Sequence, residues 1–361
     1  MAAGVGAGAA DADAGTPEVD AADSDAAVPE AGTEADGSGD SEQRVRVAVV
    51  GLGHVARHVH LPLLAKLERH FEVTAVCDSQ AGYAEDVARE LGLSESAAFL
   101  DTHSLFTSGE FDAVLLLTSG SHASLAADAL RRGYPVFCEK PLAHTPEEAA
   151  RVARAGGRLM LGYMKQYDPA VTEVLESLDP ADIRHIDVCV LHPPERFPAT
   201  DWVPAPASAN PDHVGARVHW EYRAVLDSAC HDLALIRLLA GVVGLDVDSA
   251  WSWGARDGES GSLEFAGPLP HGRYTVRWHF LPDYPEYEER VRVHTGHGTH
   301  DLVFGNPYFF GADSAFEREL LAFHALVMSG TPTLSGVAEG TADIRTALRV
   351  LAALDKSGTP A

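Results

Sequence analysis

Val45-Arg46-Val47-Ala48-Val49-Val50-Gly51-Leu52-Gly53-His54-Val55-Ala56 decides how the chain is read. Val45 to Val50 is a short apolar run without helical periodicity, the pattern of a parallel strand buried on both faces. The turn follows at once, and Arg57 to Arg69 behind it reads as a helix. Strand, glycine turn and helix in that order form the G-x-G-x-x-G/A context of a dinucleotide-binding βα unit. Gly51 allows the tight turn, Gly53 lets a pyrophosphate approach the backbone, and Ala56 lets helix and strand pack closely. His54 and Val55 lie at the helix N-terminus, where free N–H groups and the positive dipole end favour phosphate.

The next strand strengthens this reading. Phe71 to Cys77 is apolar and runs into Asp78, 25 residues beyond Gly53. A carboxylate there accepts hydrogen bonds from both ribose hydroxyls of NAD and repels the 2′-phosphate of NADP, so NAD is expected over NADP. The plainer reading makes Asp78 a turn or strand-end residue.

The alternation continues. Ala97 to Leu100, Phe111 to Thr118, Pro135 to Cys138 and Arg158 to Tyr163 read as strands, with helices expected at Asp78 to Leu91, Ala123 to Arg132 and from Thr145. Thr145-Pro-Glu-Glu148 is spaced as a capping box. Repeated β-α units imply an α/β doubly wound parallel sheet with right-handed crossovers, a Rossmann domain over residues 44–164. After it the pattern changes. Ile183 to Leu191, Asp248 to Trp253, Gly261 to Phe265, Tyr274 to Phe280, Tyr287 to His294 and Asp301 to Phe304 read as strands, several alternating polar and apolar residues. Helices are expected at Leu226 to Leu239, Ser314 to Met328 and Ala338 to Leu354. Residues 165–361 therefore read as an α+β domain with a mostly antiparallel open sheet, whose open face would suit self-association.

Composition limits the function. The 361 residues suit two domains. A formal net charge of −26 disfavours nucleic acid and anionic membrane surfaces as partners, and no apolar run approaches the ~20 residues of a membrane helix. Cys77, Cys138, Cys189 and Cys230 are scattered without a C-x-x-C, which suits a reducing cytoplasm. Residues 1–43 hold eleven acids and neither Lys, Arg nor aromatic residues. Such a stretch cannot bury enough apolar surface to offset its ordering entropy, so a disordered acidic tail is expected, and it lacks the basic and apolar regions of a secretory signal. His54, His58 and His60 fall in the nucleotide turn and first helix, and His294 to His300 have ligand spacing on an expected hairpin but no carboxylate or thiol partners, so no metal is expected.

Cys138-Glu139-Lys140-Pro141-Leu142 ends the fifth strand. Ligands of open α/β sheets bind beyond the carboxyl ends of the strands, which places Glu139 and Lys140 beside a bound nicotinamide. A lysine there can stabilise charge developing on a substrate oxygen; read alone, it is simply an exposed strand-end lysine. Taken together, Gly51-x-Gly-x-x-Ala56, Asp78, His122, Gly133-x-x-Val136 and Glu139-Lys140-Pro141 resemble the glucose–fructose oxidoreductase / inositol dehydrogenase / MocA family. The resemblance extends over roughly residues 44 to 361 and includes Gly162-Tyr-Met-Lys-Gln-Tyr-Asp-Pro169. It implies an NAD(P)-dependent dehydrogenase or reductase acting on CH–OH in a sugar, aminosugar or cyclitol, working as a homodimer or homotetramer. By the same resemblance Gly51, Gly53, His54, Val55, Ala56, Asp78, Thr118, His122, Glu139 and Lys140 would bind the cofactor.

The family's pattern of Asp, three residues and His on a helix is matched by Asp227-Ser-Ala-Cys-His231. At i and i+4 both side chains share a helix face. His231 would take the hydroxyl proton, Asp227 would orient its ring, and Lys140 would hold the substrate oxygen. A helix cap and a core histidine are the plainer reading of the pair. The chain also departs from the family: Ala234 stands where many members have Asp, Ala229 precedes the pair of Cys230 and His231 where Gly is common, and Gln166 stands for a frequent Arg with Lys165 beside it. Trp202, His219, Trp220, Tyr222 and Arg223 are candidates for the pocket lining. Two rivals share the fold: a non-catalytic dinucleotide-sensing regulator, and an enzyme using NAD in a redox-neutral hydrolysis or dehydration.

Overall fold

A computed structural model describes residues 44–193, 221–222, 224–254, 261–281, 284–305 and 314–357. The acidic stretch 1–43 and the candidate lining residues Trp202, His219, Trp220 and Arg223 lie outside the described residues.

The first sheet is wholly parallel. Its strands are β1 (Val45–Val50), β2 (Phe71–Cys77), β3 (Ala98–Phe99), β4 (Ala113–Leu116), β5 (Val136–Cys138) and β6 (Leu159–Leu161), in the spatial order β3-β2-β1-β4-β5-β6. The order reverses between β1 and β4, and the glycine turn sits at that switch point, where open α/β sheets bind ligands. In β1 every residue except Arg46 is buried, as its apolar run requires. The helices are α1 (Leu61–Lys66), α2 (Tyr83–Glu90), α3 (Thr102–Ser108), α4 (Ala123–Arg131) and α5 (Pro146–Ala155).

Three local features differ from the sequence expectation. A π turn, Ala56–His60, precedes α1, and the helix stops at Lys66 rather than Arg69. Helix α2 begins at Tyr83, behind Gly82 in left-handed backbone at φ +84°, while Asp78 accepts the Gln80 N–H in the turn before it. At α5 the Thr145 hydroxyl accepts the Glu148 N–H at 3.2 Å as a capping box requires, but the Glu148 carboxylate takes the N–H of His144, 2.8 Å away, instead of that of Thr145.

After α6 (Pro169–Ser177), β7 (Ile183–His192) opens a second sheet. It is completed by β8 (Ser249–Gly254), β9 (Gly261–Pro268), β10 (Arg273–Phe280), β11 (Glu288–Thr295) and β12 (Thr299–Phe304), in the order β12-β11-β7-β10-β9-β8. Only the β7–β10 pair is parallel. Helix α7 (Cys230–Leu239), entered through a second π turn at Ala224–Ala229, packs on the inner face. The outer face carries the ion pairs Arg277–Asp187 at 2.9 Å and Arg290–Asp301 at 3.6 Å, and exposes Trp251 and Trp253 on β8.

The last two helices return to the first sheet. Leu320 and Phe323 of α8 (Ala315–Ser329) are fully buried in one cluster with Val47, Leu115 and Phe137. Helix α9 (Val337–Ser357) lies so close to β6 that a Cβ on Gly340 would come within 2.4 Å of Leu161, and the Leu161 N–H donates to the Ser335 carbonyl at 2.9 Å. Buried Arg237 of α7 clasps Asp343 of α9 at 2.9 Å and donates to the Ser335 hydroxyl at 2.8 Å. Among the described residues no helix is long and apolar enough to cross a membrane.

Candidate active site

The glycine turn has the shape that a dinucleotide needs. Gly51 lies at φ +88°, and a Cβ there would sit 2.6 Å from Thr118 N, so β1 and β4 close around a residue without a side chain. A Cβ on Gly53 would meet nothing within 4 Å; the space in front of this backbone is open. Asp78 ends β2 with Oδ2 accepting the Leu52 N–H at 2.8 Å and Oδ1 accepting the Gln80 N–H at 2.9 Å. These bonds fix the carboxylate beside the turn. The residues present therefore fit a bound dinucleotide.

Beyond β5 the chain makes a cis Lys140–Pro141 bond. Glu139 is buried, with Oε1 3.0 Å from His60 Nε2 and Oε2 accepting the Lys140 N–H at 3.2 Å. Burial opposes ionisation of Glu139, but the His60 contact and the Lys140 charge outweigh it and hold the carboxyl below its usual range. Lys140 Nζ reaches across to the second half of the chain and donates to the main-chain oxygen of Asp227 at 2.6 Å.

One cavity of about 230 Å³ gathers these groups. Glu139, Lys140 and Val55 line it from the first sheet, Asp227, Ser228 and His231 from the π turn and α7, and Trp278, His192 and Tyr287 from the second sheet. The wider turn of the π segment lets consecutive Asp227 and Ser228 face the same space as His231. His231 is enclosed; burial first, then the charges of Lys140 and Lys165, drive its pKa well below the usual histidine value, so the ring is neutral and able to accept a proton.

The contact between Asp227 and the His231 ring differs from expectation. His231 Nδ1 is buried without a hydrogen-bond partner, and the ring is flanked edge-on by Tyr163, centroids 5.9 Å apart. Asp227 meets the site through its carbonyl and through its place in the lining. His122 also differs from a cofactor contact. It is fully buried, with Nδ1 2.7 Å from the Pro141 oxygen and Nε2 2.8 Å from the Thr118 oxygen. It braces the two strand ends from behind, and burial pushes its pKa down against the pull of both carbonyls. Tyr222 is buried too, its hydroxyl donating to the His144 oxygen at 3.2 Å, and it is not among the cavity-lining residues.

The family departures at Gln166 and Ala234 fall away from the cavity. Gln166 Nε2 donates to the Ala234 carbonyl at 2.9 Å, and its oxygen accepts the Ser335 hydroxyl at 2.8 Å, an interior joint. Lys165 is the residue of that pair that reaches the cavity. Its ammonium is bracketed by Asp232 at 3.0 Å and Glu289 at 2.7 Å, and Tyr287 donates to the other Glu289 oxygen at 2.5 Å. Burial lowers the Lys165 pKa but the two carboxylates raise it well above its ordinary value; burial and the neighbouring Glu289 push Asp232 up to about 7. Sequence reasoning missed Trp278, His192 and Tyr287, although the alternation of β10 marks Trp278 as inward-facing. Among the described residues no group of three or more His, Cys, Asp or Glu side chains could hold a metal ion.

Comparison with known proteins agrees with this frame. Residues 45–161 match the oxidoreductase family with an NAD-binding Rossmann fold. Inositol 2-dehydrogenase of Salmonella typhimurium is 32% identical over 145 residues, 38% of this chain and 43% of that protein. The scyllo-inositol 2-dehydrogenase (NAD(+)) of Bacillus subtilis is 31% identical over 147 residues, 39% of this chain and 42% of that one. The matched stretch thus spans less than half the length of these relatives. Solved structures match the fold more widely. Scyllo-inositol dehydrogenase from Lactobacillus casei with bound NAD(H) and scyllo-inositol has a TM-score of 0.69 at 19% identity, covering 87% of this chain and 98% of that one. UDP-N-acetylglucosamine 3-dehydrogenase from Acidithiobacillus ferrooxidans has a TM-score of 0.63 at 20% identity, with 87% and 99% covered. At such identities the likeness establishes the fold. Over residues 45–161 the chain thus matches the Gfo/Idh/MocA oxidoreductases through an NAD-binding Rossmann fold.

Proposed function

We propose that the chain is an NAD-dependent dehydrogenase acting on a secondary hydroxyl, or the matching ketone, of a cyclitol, sugar or aminosugar. The observation that carries this reading is the convergence of Lys140, Asp227 and His231 on one cavity from two parts of the chain, with Lys140 Nζ 2.6 Å from the Asp227 oxygen. When bound, NAD supplies the hydride acceptor. His231, neutral in its enclosure, takes the substrate hydroxyl proton. The Lys140 ammonium stabilises the negative charge that grows on the same oxygen. Asp227 holds Lys140 in place through its carbonyl. Asp78 selects NAD over NADP by repelling a 2′-phosphate. Because Asp232 and Glu289 already compensate the Lys165 charge, that side of the cavity favours a neutral polyol over a phosphorylated sugar. The names of the inositol dehydrogenase relatives point the same way.

The exposed outer face of the second sheet, with Trp251 and Trp253, is proposed for assembly into a dimer or tetramer, and the four free cysteines suit a cytoplasmic setting. Absorbance of reduced nicotinamide, followed with a panel of cyclitols and sugars, tests the reading. Lys140→Ala and His231→Ala should each abolish turnover while NADH binding persists. Tight NADH binding with no turnover of any polyol would favour a sensing regulator, and product formation without net NADH would favour redox-neutral chemistry.

A further inference from the structure

The cavity lining draws on two chemically unlike sets of side chains. Lys140, Asp227 and His231 come from the end of β5 and the start of α7; Trp278, His192 and Tyr287 come from the second sheet and its margin. The second set is an aromatic surface built on the neighbouring strands β7 and β10 and on Tyr287, just before β11. Trp278 and Phe280 on β10 are stacked 6.2 Å apart with planes 6° from parallel. His192 on β7 lies 5.7 Å from Trp278, 5.5 Å from Phe280 and 5.4 Å from Tyr287. Strand pairing sets this spacing, since Phe280 is the register partner of His192 and the inward row of β10 carries Trp278 two residues before it. Tyr287 is anchored by its hydroxyl to Glu289, which in turn holds Lys165. Trp278 is only 6% exposed, so the indole is packed in place rather than swinging in solvent.

Resting on the dehydrogenase reading, we infer that Trp278, flanked by His192 and Tyr287, is a specificity surface that selects six-membered cyclic polyols presenting a face of axial hydrogens. In a chair-form polyol the axial C–H bonds stand perpendicular to the ring and carry slight positive charge, which complements the negative face of an indole. Equatorial hydroxyls radiate in the ring plane, where one edge can reach Lys140 and His231. On a carbon bearing an equatorial hydroxyl, the hydrogen removed in oxidation is axial and lies on one face, leaving the other for the indole. An axial hydroxyl on the stacked face would surrender its water hydrogen bonds against an indole face that offers it little in return.

Two probes separate the cases. Scyllo-inositol has axial hydrogens on both faces; chiro-inositol carries one axial hydroxyl on each. The affinity of NADH-loaded protein for each is measured by calorimetry, and KM and kcat with NAD are measured alongside. The wild-type protein should prefer scyllo-inositol by roughly ten- to a hundredfold. Trp278→Ala should weaken scyllo-inositol binding and raise its KM roughly tenfold or more with little change in kcat, the mark of lost uniform binding, and the preference between the two inositols should collapse. Trp278→Phe should keep most of the preference. NADH affinity reports folding, and if Trp278→Ala loses it, Trp278→Leu, apolar but without a π face, carries the same expectation. An unchanged preference in a variant that still binds NADH overturns the inference while leaving the dehydrogenase reading in place. Wild-type protein that neither binds nor oxidises any polyol overturns both.

Discussion

Replacing Gly51 and Gly53 by alanine, one at a time, should separate the two roles of a single turn. At Gly51 the backbone sits at φ +88°, and the added Cβ would lie 2.6 Å from Thr118 N and 2.8 Å from both Leu117 C and Thr118 Cα. Those are main-chain atoms at the end of β4, tied to β1 by the Leu117 N–H donating to the Val50 oxygen at 2.8 Å. They cannot turn aside as a side chain would. Left-handed backbone costs an alanine roughly 1–2 kcal/mol, and overpacking against fixed atoms adds roughly 1–3 kcal/mol, giving a total of about 2–5 kcal/mol. At roughly 2 °C per kcal/mol for a chain of this length, the thermal midpoint should fall by about 4–10 °C. At Gly53 the added methyl meets nothing within 4 Å, so the midpoint should hold within about 1–2 °C. It does fill the space through which a pyrophosphate would approach, and NADH affinity should drop roughly tenfold or more. Scanning calorimetry and an NADH fluorescence titration measure both effects. A Gly51→Ala protein as stable as wild type would refute the steric part, and a Gly53→Ala protein with undiminished NADH affinity would refute the assignment of the cofactor turn.

Four further outcomes are expected. The His231 pKa is depressed by burial and by Lys140 and Lys165, so the acid limb of kcat/KM should lie below the ordinary histidine value of 6.5; a limb near 7 would assign control to Asp232 instead. The same depression makes the unfolded chain bind a proton that the folded chain refuses, so this residue's penalty on stability is absent above the unfolded pKa and grows as pH falls below it, which denaturant titrations between pH 7 and 5 would register in comparison with His231→Gln. Asp78→Ser should narrow the preference for NADH over NADPH by roughly tenfold in a direct titration, and equal ratios in both proteins would remove the ribose role. Asp343→Ala strands the buried Arg237 guanidinium, now 2.9 Å from its carboxylate, and should cost about 3–5 kcal/mol in urea unfolding; a loss under 1 kcal/mol would show that water reaches the cation.

The parallel sheet was legible because its strands are buried on both faces and so spell continuous apolar runs, as Val45–Val50 and Ala113–Leu116 do. Helices α3 and α6 escaped notice, although Asp101 caps the first through the Ser104 N–H and Asp168-Pro169 opens the second with a side-chain cap and a proline. Both are short, and their cap signals read equally well as turns. The π turns were beyond reach, since no residue pattern distinguishes them from an ordinary helix start. In the site, Lys140 and His231 were legible through the local stretches around them. Trp278, His192 and Tyr287 were not, because what unites them is strand pairing between segments about ninety residues apart in the chain, which only the register of β7 with β10 and β11 establishes. His122 was misplaced because a histidine at a helix start offers the same pattern whether it faces a ligand or two carbonyls.

The return of α8 and α9 to the first sheet has a consequence for synthesis. The cofactor-binding half leaves the ribosome first, yet Leu320, Phe323 and Leu326, which seal one flank of it, and Ser335, which pairs with the edge of β6, are made more than 150 residues later. Until they arrive, that flank is an oily surface in need of shelter. A gene cut after Gly162 would therefore release a sticky intermediate rather than a free-standing nucleotide module, and co-expressing the severed C-terminal piece should restore its solubility.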